Sequence, residues 1–333
     1  MPPLTTPLCR LLGIAQPIIQ APISSSPELV AAVSNAGGMG VIQSTWLETD
    51  ELIETIAEVQ RRTDRPFAAN FVLSLTADNG HALVDAALAA GAPVISTFWA
   101  DPAAVIERIH GAGALALHTV GSAEEARRVV DLGVDAVVAQ GVEAGGHVWG
   151  QVGTLVLTPA VVDAVPDAHV IAAGGIADGR GLAAVLALGA GAAWIGTRFL
   201  LAEEHECHPA YRDSVIVARE TDTVLSSVFD VGWPDATHRC LLNDTLEAWL
   251  AAGSPEPGQR PNEGKIVAHF ESGEAISRYS MFEPTVGMTG RVTSIAMYAG
   301  QGVGLTSQVK PIAEIMSEMV ADATAILSNF AAE

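Results

Sequence analysis

The sequence predicts an α/β fold in which a (β/α)8 barrel of the TIM type carries a smaller inserted domain. Two observations lead to this prediction. Between residues 18 and 200, eight short apolar segments with strand character alternate with amphipathic helical segments. After Leu201 the alternation stops, and a more polar stretch precedes one last long helix. Eight strands with intervening helices favour a closed barrel over an open doubly wound sheet, which stays the main alternative.

The eight predicted strands are rich in Ala, Val and Ile, which is typical of strands buried on both faces. They span 18–23, 39–44, 67–73, 93–99, 115–120, 136–141, 169–176 and 192–200. The segments between them repeat apolar residues at intervals of three and four, as in 51–62 and 123–133, and are predicted helices. Helix starts are expected at Pro27, Ser122 and Asp178, and helix-ending glycines at Gly37, Gly91, Gly113, Gly133 and Gly189.

The break after Leu201 predicts the domain organisation. Residues 1–205 and 291–333 are assigned to the barrel, and residues 206–290 to a smaller lid or substrate domain that is expected to be rich in helix. The loop 253–264, with three prolines and three glycines, belongs to this insertion. The final helix is predicted at 311–330.

Composition narrows the classes of partner. Of 333 residues, 49% are hydrophobic and 17% charged, which excludes disorder as the dominant state. A formal net charge of −21 argues against nucleic acid and membrane partners, so an anionic ligand would need local backbone donors. We expect a small-molecule substrate, with a homodimer left open. The three separate cysteines form no framework, and no signal peptide is recognised, so a cytoplasmic location is expected.

In an α/β barrel the active site forms at the carboxyl ends of the strands, so the candidate residues are sought there. Gly174 and Gly175 follow the seventh predicted strand, and Gly196 and Thr197 lie at the end of the eighth. Glycine amides and a hydroxyl at these two positions are typical of a phosphate site. Two ordinary tight turns are an equally good interpretation of the residues alone.

The loop after the sixth strand reads AQGVEAGGH and is the candidate catalytic segment. Gly145 and Gly146 would allow the chain to lie flat against a planar ring. His147 follows at once, and histidine is the side chain best suited to proton exchange near neutral pH. The alternative is a surface-loop histidine with no catalytic role.

Other polar residues are less decisive. Asn70, in the third strand, is either a satisfied core amide or a ligand of a bound ring. Pro22 ends the first strand, in a loop that faces a cofactor or merely turns. His118 lines a pocket or belongs to the core. The cluster HECH at 205–208 has no distant fourth ligand, so no metal site is predicted. Neither a Rossmann nor a Walker A fingerprint occurs, which leaves an NAD domain unsupported.

The chain resembles the nitronate monooxygenases, formerly called 2-nitropropane dioxygenases, over nearly its whole length and in the correct order. The resemblance is carried by PIIQAP (17–22), NAGGMG (35–40), AQGVEAGGH (139–147), AAGGIADGRG (172–181), GTRFL (196–200) and YAGQGVG (298–304). The same superfamily contains flavin-dependent enoyl-acyl-carrier-protein reductases and NADH:quinone reductases.

This resemblance implies an FMN-dependent oxidoreductase that acts on alkyl nitronates or nitroalkanes with dioxygen, with His147 as base. It places Gly145 and Gly146 beside the flavin. The FMN phosphate would be held by Gly174, Gly175, Gly196 and Thr197, and the ring or ribityl part would contact Pro22, Asn70, Gln140 and Gln301.

One departure from the family affects the substrate more than the cofactor. Where relatives commonly carry APM followed by a glycine-containing stretch, this chain reads APISSS, so Ile23 replaces the methionine and Ser24 to Ser26 add hydroxyls. A related nitro or amino compound is therefore a further candidate substrate. The competing functions are an NAD(P)H-dependent reductase of an enoyl thioester or quinone, and a non-flavin barrel enzyme that binds a sugar phosphate.

Overall fold

The computed structural model describes residues 4–77 and 81–331, and its framework is an eight-stranded parallel sheet. The strands run in the spatial order β1, β9, β8, β6, β5, β4, β3, β2. A parallel bridge between Ile19 and Met39 joins the first strand to the last, so the sheet closes into a barrel as predicted. The strands are β1 (Ile18–Gln20), β2 (Gly40–Gln43), β3 (Phe67–Val72), β4 (Val94–Phe98), β5 (Leu115–Val120), β6 (Ala136–Gln140), β8 (His169–Ala173) and β9 (Ala192–Ile195).

The helices alternate with these strands and cover the outside of the barrel. The predicted starts are confirmed, since Pro27 is the first residue of its helix, and the Ser122 and Asp178 side chains accept hydrogen bonds from the first-turn amides. The five helix-ending glycines all have positive φ. The helices of this part are α1 (Pro7–Leu12), α2 (Pro27–Asn35), α3 (Thr49–Arg62), α4 (Leu73–Thr76), α5 (Ala82–Ala89), α6 (Ala103–Gly111), α7 (Ala123–Asp131), α8 (Thr154–Ala164) and α9 (Gly179–Ala187).

The barrel interior is filled by alternate residues of the strands, such as Val41, Ala68 and Leu117, none of which is exposed. The short helix α1 closes the amino-terminal end, where the Thr6 hydroxyl donates to the Gly191 carbonyl at 2.7 Å. Leu8 of α1 is fully buried against this interior. Since α1 fills this end, the cavity of the described chain lies at the carboxyl ends of the strands.

The insertion at 206–290 is a mixed α/β unit, which corrects the expectation that it is rich in helix. Its strands are two to four residues long, and no periodic pattern reveals strands this short in the sequence. It contains α10 (Pro209–Val217), β10 (Thr223–Ser226), β11 (His238–Leu241), α11 (Asp244–Ala251), β12 (Ile266–His269), β13 (Ala275–Ser277) and β14 (Thr289–Gly290).

The insertion is joined directly to the loop that carries His147. The two-residue strand β7 (Gly146–His147) pairs antiparallel with β11, which also pairs with β10. Strands β12, β13 and β14 form a second small sheet. The chain then returns to the barrel through α12 (Ile312–Ala331), which packs on α9 and α2. None of the helices in the described part of the chain is both long and apolar enough to cross a membrane.

Candidate active site

A cavity of about 390 Å³ opens at the carboxyl ends of the barrel strands, between the barrel and the insertion. This volume lies in the range of small-molecule and cofactor sites. The cavity brings together His147 and nine of the ten residues predicted to bind the cofactor, namely Pro22, Asn70, Gln140, Gly145, Gly146, Gly174, Gly175, Gly196 and Thr197.

Gln301 is the exception. Its side chain is exposed and does not line the cavity. The main chain explains its place, because its amide donates to the Glu143 carbonyl at 3.0 Å and thereby ties the segment after Tyr298 to the His147 loop. A contact between the Gln301 side chain and the ring is therefore not supported by this structure.

His147 is enclosed by aromatic rings. Its imidazole stacks on Trp233 of the insertion, with ring centroids 4.1 Å apart and an interplanar angle of 27°. Tyr298 lies at 5.4 Å and Trp99 at 6.4 Å on other sides. The pairing of His147 with His238 of β11 fixes its main chain. The imidazole is thus held in one position by contacts from both the barrel and the insertion.

The imidazole of His147 is neutral at physiological pH. Burial, and to a smaller degree the nearby His238, lower its pKa to about 3. Neither ring nitrogen has a hydrogen-bond partner among the described residues, and Nε2 is completely enclosed. Nδ1 is not enclosed and nothing in the described chain uses its lone pair, so Nδ1 is the ring nitrogen that can accept a proton or a hydrogen bond from a bound molecule.

Gln140 lines the cavity, but its amide already has partners. Its Nε2 donates to the His147 carbonyl at 3.0 Å, and its Oε1 accepts from the Trp149 amide at 3.0 Å. The side chain therefore shapes the loop that presents His147, in addition to facing the space where a ring would lie.

The two glycines before His147 are required for different reasons. A Cβ at Gly145 would overlap the backbone of Ala299 and Gly300, so the glycine allows two loops to touch. Gly146 has φ +74° and nothing within 4 Å of its would-be Cβ. Only Gly146 thus leaves open space beside the cavity, while Gly145 serves the packing of protein on protein. Both glycines line the cavity, and their place beside a planar ring stays a prediction.

Glu143, in the middle of the same loop, was not singled out from the sequence. Its carboxylate accepts from the Thr154 amide at 2.9 Å and from the Thr154 hydroxyl at 2.9 Å, at the start of α8. A carboxylate at a helix amino terminus is favoured by the helix dipole. This contact anchors the His147 loop to the barrel.

The donors predicted for a phosphate lie at one end of the cavity. Gly175, which was predicted, and Ile176, which was not, follow β8, and their amides donate to no other described residue. Thr197, after β9, accepts from the Gly300 amide at 2.9 Å and keeps its own hydroxyl proton free to donate. Free amides and a hydroxyl, without any cation, match the local backbone donors that an acidic protein needs for an anion.

Asn70 supplies a side-chain amide that is free to bind a ligand. The residue is 5% exposed and lines the cavity, and its side-chain amide bonds to no other described residue. A buried amide ordinarily has a partner, so a ligand is the natural one. Together with the free amides at the opposite end, Asn70 makes the residues present fit a flavin mononucleotide.

His118 and the HECH cluster, the remaining candidate residues, lie in different environments. His118 is a core residue, because it is 4% exposed, does not line the cavity and bonds to the Thr97 hydroxyl at 2.8 Å. In the HECH cluster, His208 caps α10, as expected of a segment that packs the next helix. His205, Glu206 and Cys207 line the cavity, which was not foreseen. Across residues 4–77 and 81–331, no three His, Cys, Asp or Glu side chains are arranged to hold a metal ion.

The loop APISSS (21–26), which differs from the family pattern, also contributes to the cavity. Ile23, Ser24 and Ser25 line it, whereas Ser26 does not. The amide of Ser26 donates instead to the Ser24 hydroxyl at 3.0 Å, which shapes the turn. Two of the three added serines thus border the cavity.

The family model described as nitronate monooxygenase matches residues 5–322. The chain belongs to the nitronate monooxygenase family. It is therefore a flavin-dependent oxidoreductase, with the eight-stranded barrel of that family.

Individual relatives carry different names. A carboxyl-CoA dehydrogenase of Mycobacterium tuberculosis, (3aS,4S,5R,7aS)-5-hydroxy-7a-methyl-1-oxo-octahydro-1H-indene-4-carboxyl-CoA dehydrogenase, is 39% identical over 77% of this chain and 71% of its own. A probable nitronate monooxygenase of Staphylococcus saprophyticus is 34% identical over 68% of this chain and 76% of its own.

Two solved structures cover almost the whole chain. FabK from Thermotoga maritima is 31% identical, covers 98% of both chains and has a TM-score of 0.84. Nitroalkane oxidase from Streptomyces ansochromogenes is 28% identical, covers 97% of this chain and 99% of its own, and has a TM-score of 0.73.

Proposed function

We propose that this protein uses FMN and dioxygen to oxidise nitroalkanes and alkyl nitronates, or a related nitro or amino compound, with His147 as the base. The observation that carries the proposal is the neutral, unpartnered imidazole of His147, held in the cavity beside Gly146. A histidine must be neutral before it accepts a proton, and burial keeps His147 neutral.

Some residues of the cavity would bind the cofactor, and others position His147. Asn70, Thr197 and the amides of Gly175 and Ile176 would bind FMN, which, when bound, supplies the redox chemistry between substrate and dioxygen. The stacked ring of Trp233 orients the imidazole of His147 toward the cavity. Through Gln140 and Glu143, the loop keeps this position without using either ring nitrogen.

Deprotonation of a nitroalkane by His147 is compatible with its low pKa. Burial penalises the imidazolium when it stands alone. Transfer of the α-proton, however, creates the imidazolium and the nitronate anion next to each other, so their attraction offsets much of the desolvation cost. A nitronate that is already ionised bypasses this step.

A reductase of an enoyl thioester or a quinone, driven by NAD(P)H, is the second candidate. It is favoured by the name of the 39% identical relative, a dehydrogenase of a carboxyl-CoA compound. Against a coenzyme A ester stands the lining of the cavity, in which the structure describes no Lys or Arg to pair with the phosphates. The nitro substrate therefore fits this cavity better.

The purified protein tests both candidates. We expect a yellow solution with flavin absorbance, oxygen uptake and nitrite release with 1-nitrobutane and with butyl nitronate. Absence of oxygen uptake and nitrite with both compounds, in protein loaded with FMN, would reject the proposed function. Anaerobic bleaching of the flavin by NADH or NADPH would then favour the reductase.

A further inference from the structure

The lining of the cavity is unbalanced in charge. Among the residues that the structure describes, it includes two carboxyl groups, Glu206 and Glu283, and no Lys or Arg. Glu206 is exposed at the rim, whereas Glu283 is half-buried. The interior of the cavity therefore contains a carboxyl group that no cationic side chain of its lining neutralises.

The buried arginines near the cavity are committed elsewhere and do not line it. Arg212 donates to the carbonyls of Ala202 and His205, and Arg239 donates to the carbonyl of Val142 at 2.9 Å. Arg198 donates to the carbonyl of Gln308 at 3.2 Å. None of them supplies a positive charge inside the cavity.

The histidines of the lining do not supply this charge either. Burial lowers the pKa of His205 to about 4 and that of His147 to about 3, so both are neutral at physiological pH. Burial also raises the pKa of Glu283, an effect that the Gln43 side chain partly offsets. A bound cation would remove the penalty that burial places on the charged form of this carboxyl.

Glu283 is held on the same side of the cavity as the residues that cover His147. Two residues before it, the Met281 amide donates to the Val231 carbonyl at 3.2 Å, in the segment that carries Trp233. The Met281 carbonyl accepts from the Tyr298 hydroxyl at 2.6 Å, and the Tyr298 ring lies 5.4 Å from the imidazole of His147. The base and the carboxyl group thus line the same cavity and are linked through Met281 and Tyr298.

Aromatic rings form the remaining walls at this end. Phe282, next to Glu283, contacts Phe270 edge to face at 5.1 Å, and Trp46 lies 6.4 Å from Trp233. All four side chains line the cavity. Aromatic faces bind hydrocarbon, and they also attract ammonium groups through their π electrons.

We propose that the substrate carries an ammonium group, which pairs with Glu283 while the aromatic walls hold its carbon skeleton and His147 faces its reactive carbon. This inference rests on the proposed function for the nitro group, and it narrows the substrate to an amine-bearing nitro compound.

Binding without turnover provides the test. The affinity of FMN-loaded protein for the 2-phenylethylammonium ion and for its neutral analogue 2-phenylethanol is measured by calorimetry at pH 7.5. We expect the ammonium ion to bind more tightly to the wild-type protein. Glu283→Gln should lower the affinity for the ammonium ion by about tenfold or more and leave the affinity for 2-phenylethanol unchanged. Glu274→Gln removes an exposed carboxylate of the same insertion and should change neither affinity.

The outcomes separate this inference from the proposed function. Equal binding of the two compounds to the wild-type protein overturns the inference, whether or not Glu283→Gln folds. Equal losses in Glu283→Gln and Glu274→Gln also overturn it, because they indicate an effect of overall charge. Selective binding of the ammonium ion without oxidation of 3-nitropropylammonium or 1-nitrobutane keeps the ligand class and rejects the nitro chemistry.

Discussion

At the scale of single residues, burial controls the chemistry of His147. An exposed imidazole would be partly protonated near pH 6.5, and the protonated fraction could not accept a proton. Enclosure by Trp233, Tyr298 and His238 disfavours the imidazolium, so the whole population is available as a base. The same enclosure makes His147 a weak base, so the nitronate anion that forms beside it must stabilise the imidazolium.

Replacement of His147 by Asn tests its role. The flavin should remain bound, because Asn70, Thr197 and the amides after β8 are untouched. Turnover of neutral 1-nitrobutane should fall by about 10²–10⁴-fold, the usual contribution of a general base. Turnover of preformed butyl nitronate should fall much less. Nitrite release with the two compounds, measured on protein of equal flavin content, gives the comparison; equal losses would contradict the assignment of the base.

The pH dependence of kcat/KM follows from the lowered pKa of His147. Because its folded-state pKa is about 3, the neutral form persists down to that pH and is lost only below it. We expect no decline from this group between pH 8 and pH 5 with 1-nitrobutane, measured by oxygen uptake. An acid limb centred near pH 6.5, absent in His147→Asn, would show that the imidazole is not desolvated in the free enzyme.

At the scale of elements, the site depends on a contact between two loops. The segment that carries Gly145 touches the segment that carries Gly300, and the Gln301 amide reaches the Glu143 carbonyl at 3.0 Å. Strand β7 then extends the insertion sheet through β11. The insertion therefore fixes the position of the base in addition to covering the cavity.

Alanine substitutions of the two neighbouring glycines separate packing from backbone strain. Gly145→Ala places a methyl group inside the backbone of Ala299 and Gly300, so the loops must part, at a cost of about 1–3 kcal/mol or more. Gly146→Ala meets no atom within 4 Å and should cost only about 1–2 kcal/mol for its left-handed conformation. Thermal unfolding of both variants, with bound flavin quantified, provides the measurement. A more stable Gly145→Ala than Gly146→Ala would contradict this packing.

The barrel could be predicted from the sequence because strand and helix segments alternate, and apolar residues recur with a different period in each. The seventh and eighth strands were predicted too long, since β8 and β9 end before Gly174 and Gly196 and the chain turns there. The strands of the insertion could not be predicted from the sequence, because they have only two to four residues, as in β14, and are defined by their pairing. Trp233 and Glu283 lie outside every motif and gave no signal, whereas Tyr298 and the residues around His147 belong to motifs that carry the family resemblance.

At the scale of the whole molecule, two electrostatic effects oppose each other as the pH falls. The net charge of −21 makes the folded chain repel itself, and this repulsion weakens as acid neutralises carboxylates. Four histidines act in the other direction. Burial lowers the pKa of His147 to about 3 and those of His118, His205 and His238 to about 4.

The histidines should dominate between pH 6.5 and about 5, where most carboxylates are still ionised. In this window the four buried histidines take up protons in the unfolded chain but not in the folded protein. Their contribution to the free energy of unfolding is complete above pH 6.5 and declines toward pH 4. The decline is at most about 1.4 kcal/mol per pH unit for each histidine. Denaturant unfolding at several pH values should show this decline. His118→Asn, in the core away from the cavity, should reduce the slope by about one proton. A stability that rises from pH 6.5 to 5 would mean that relief of charge repulsion outweighs the buried imidazoles.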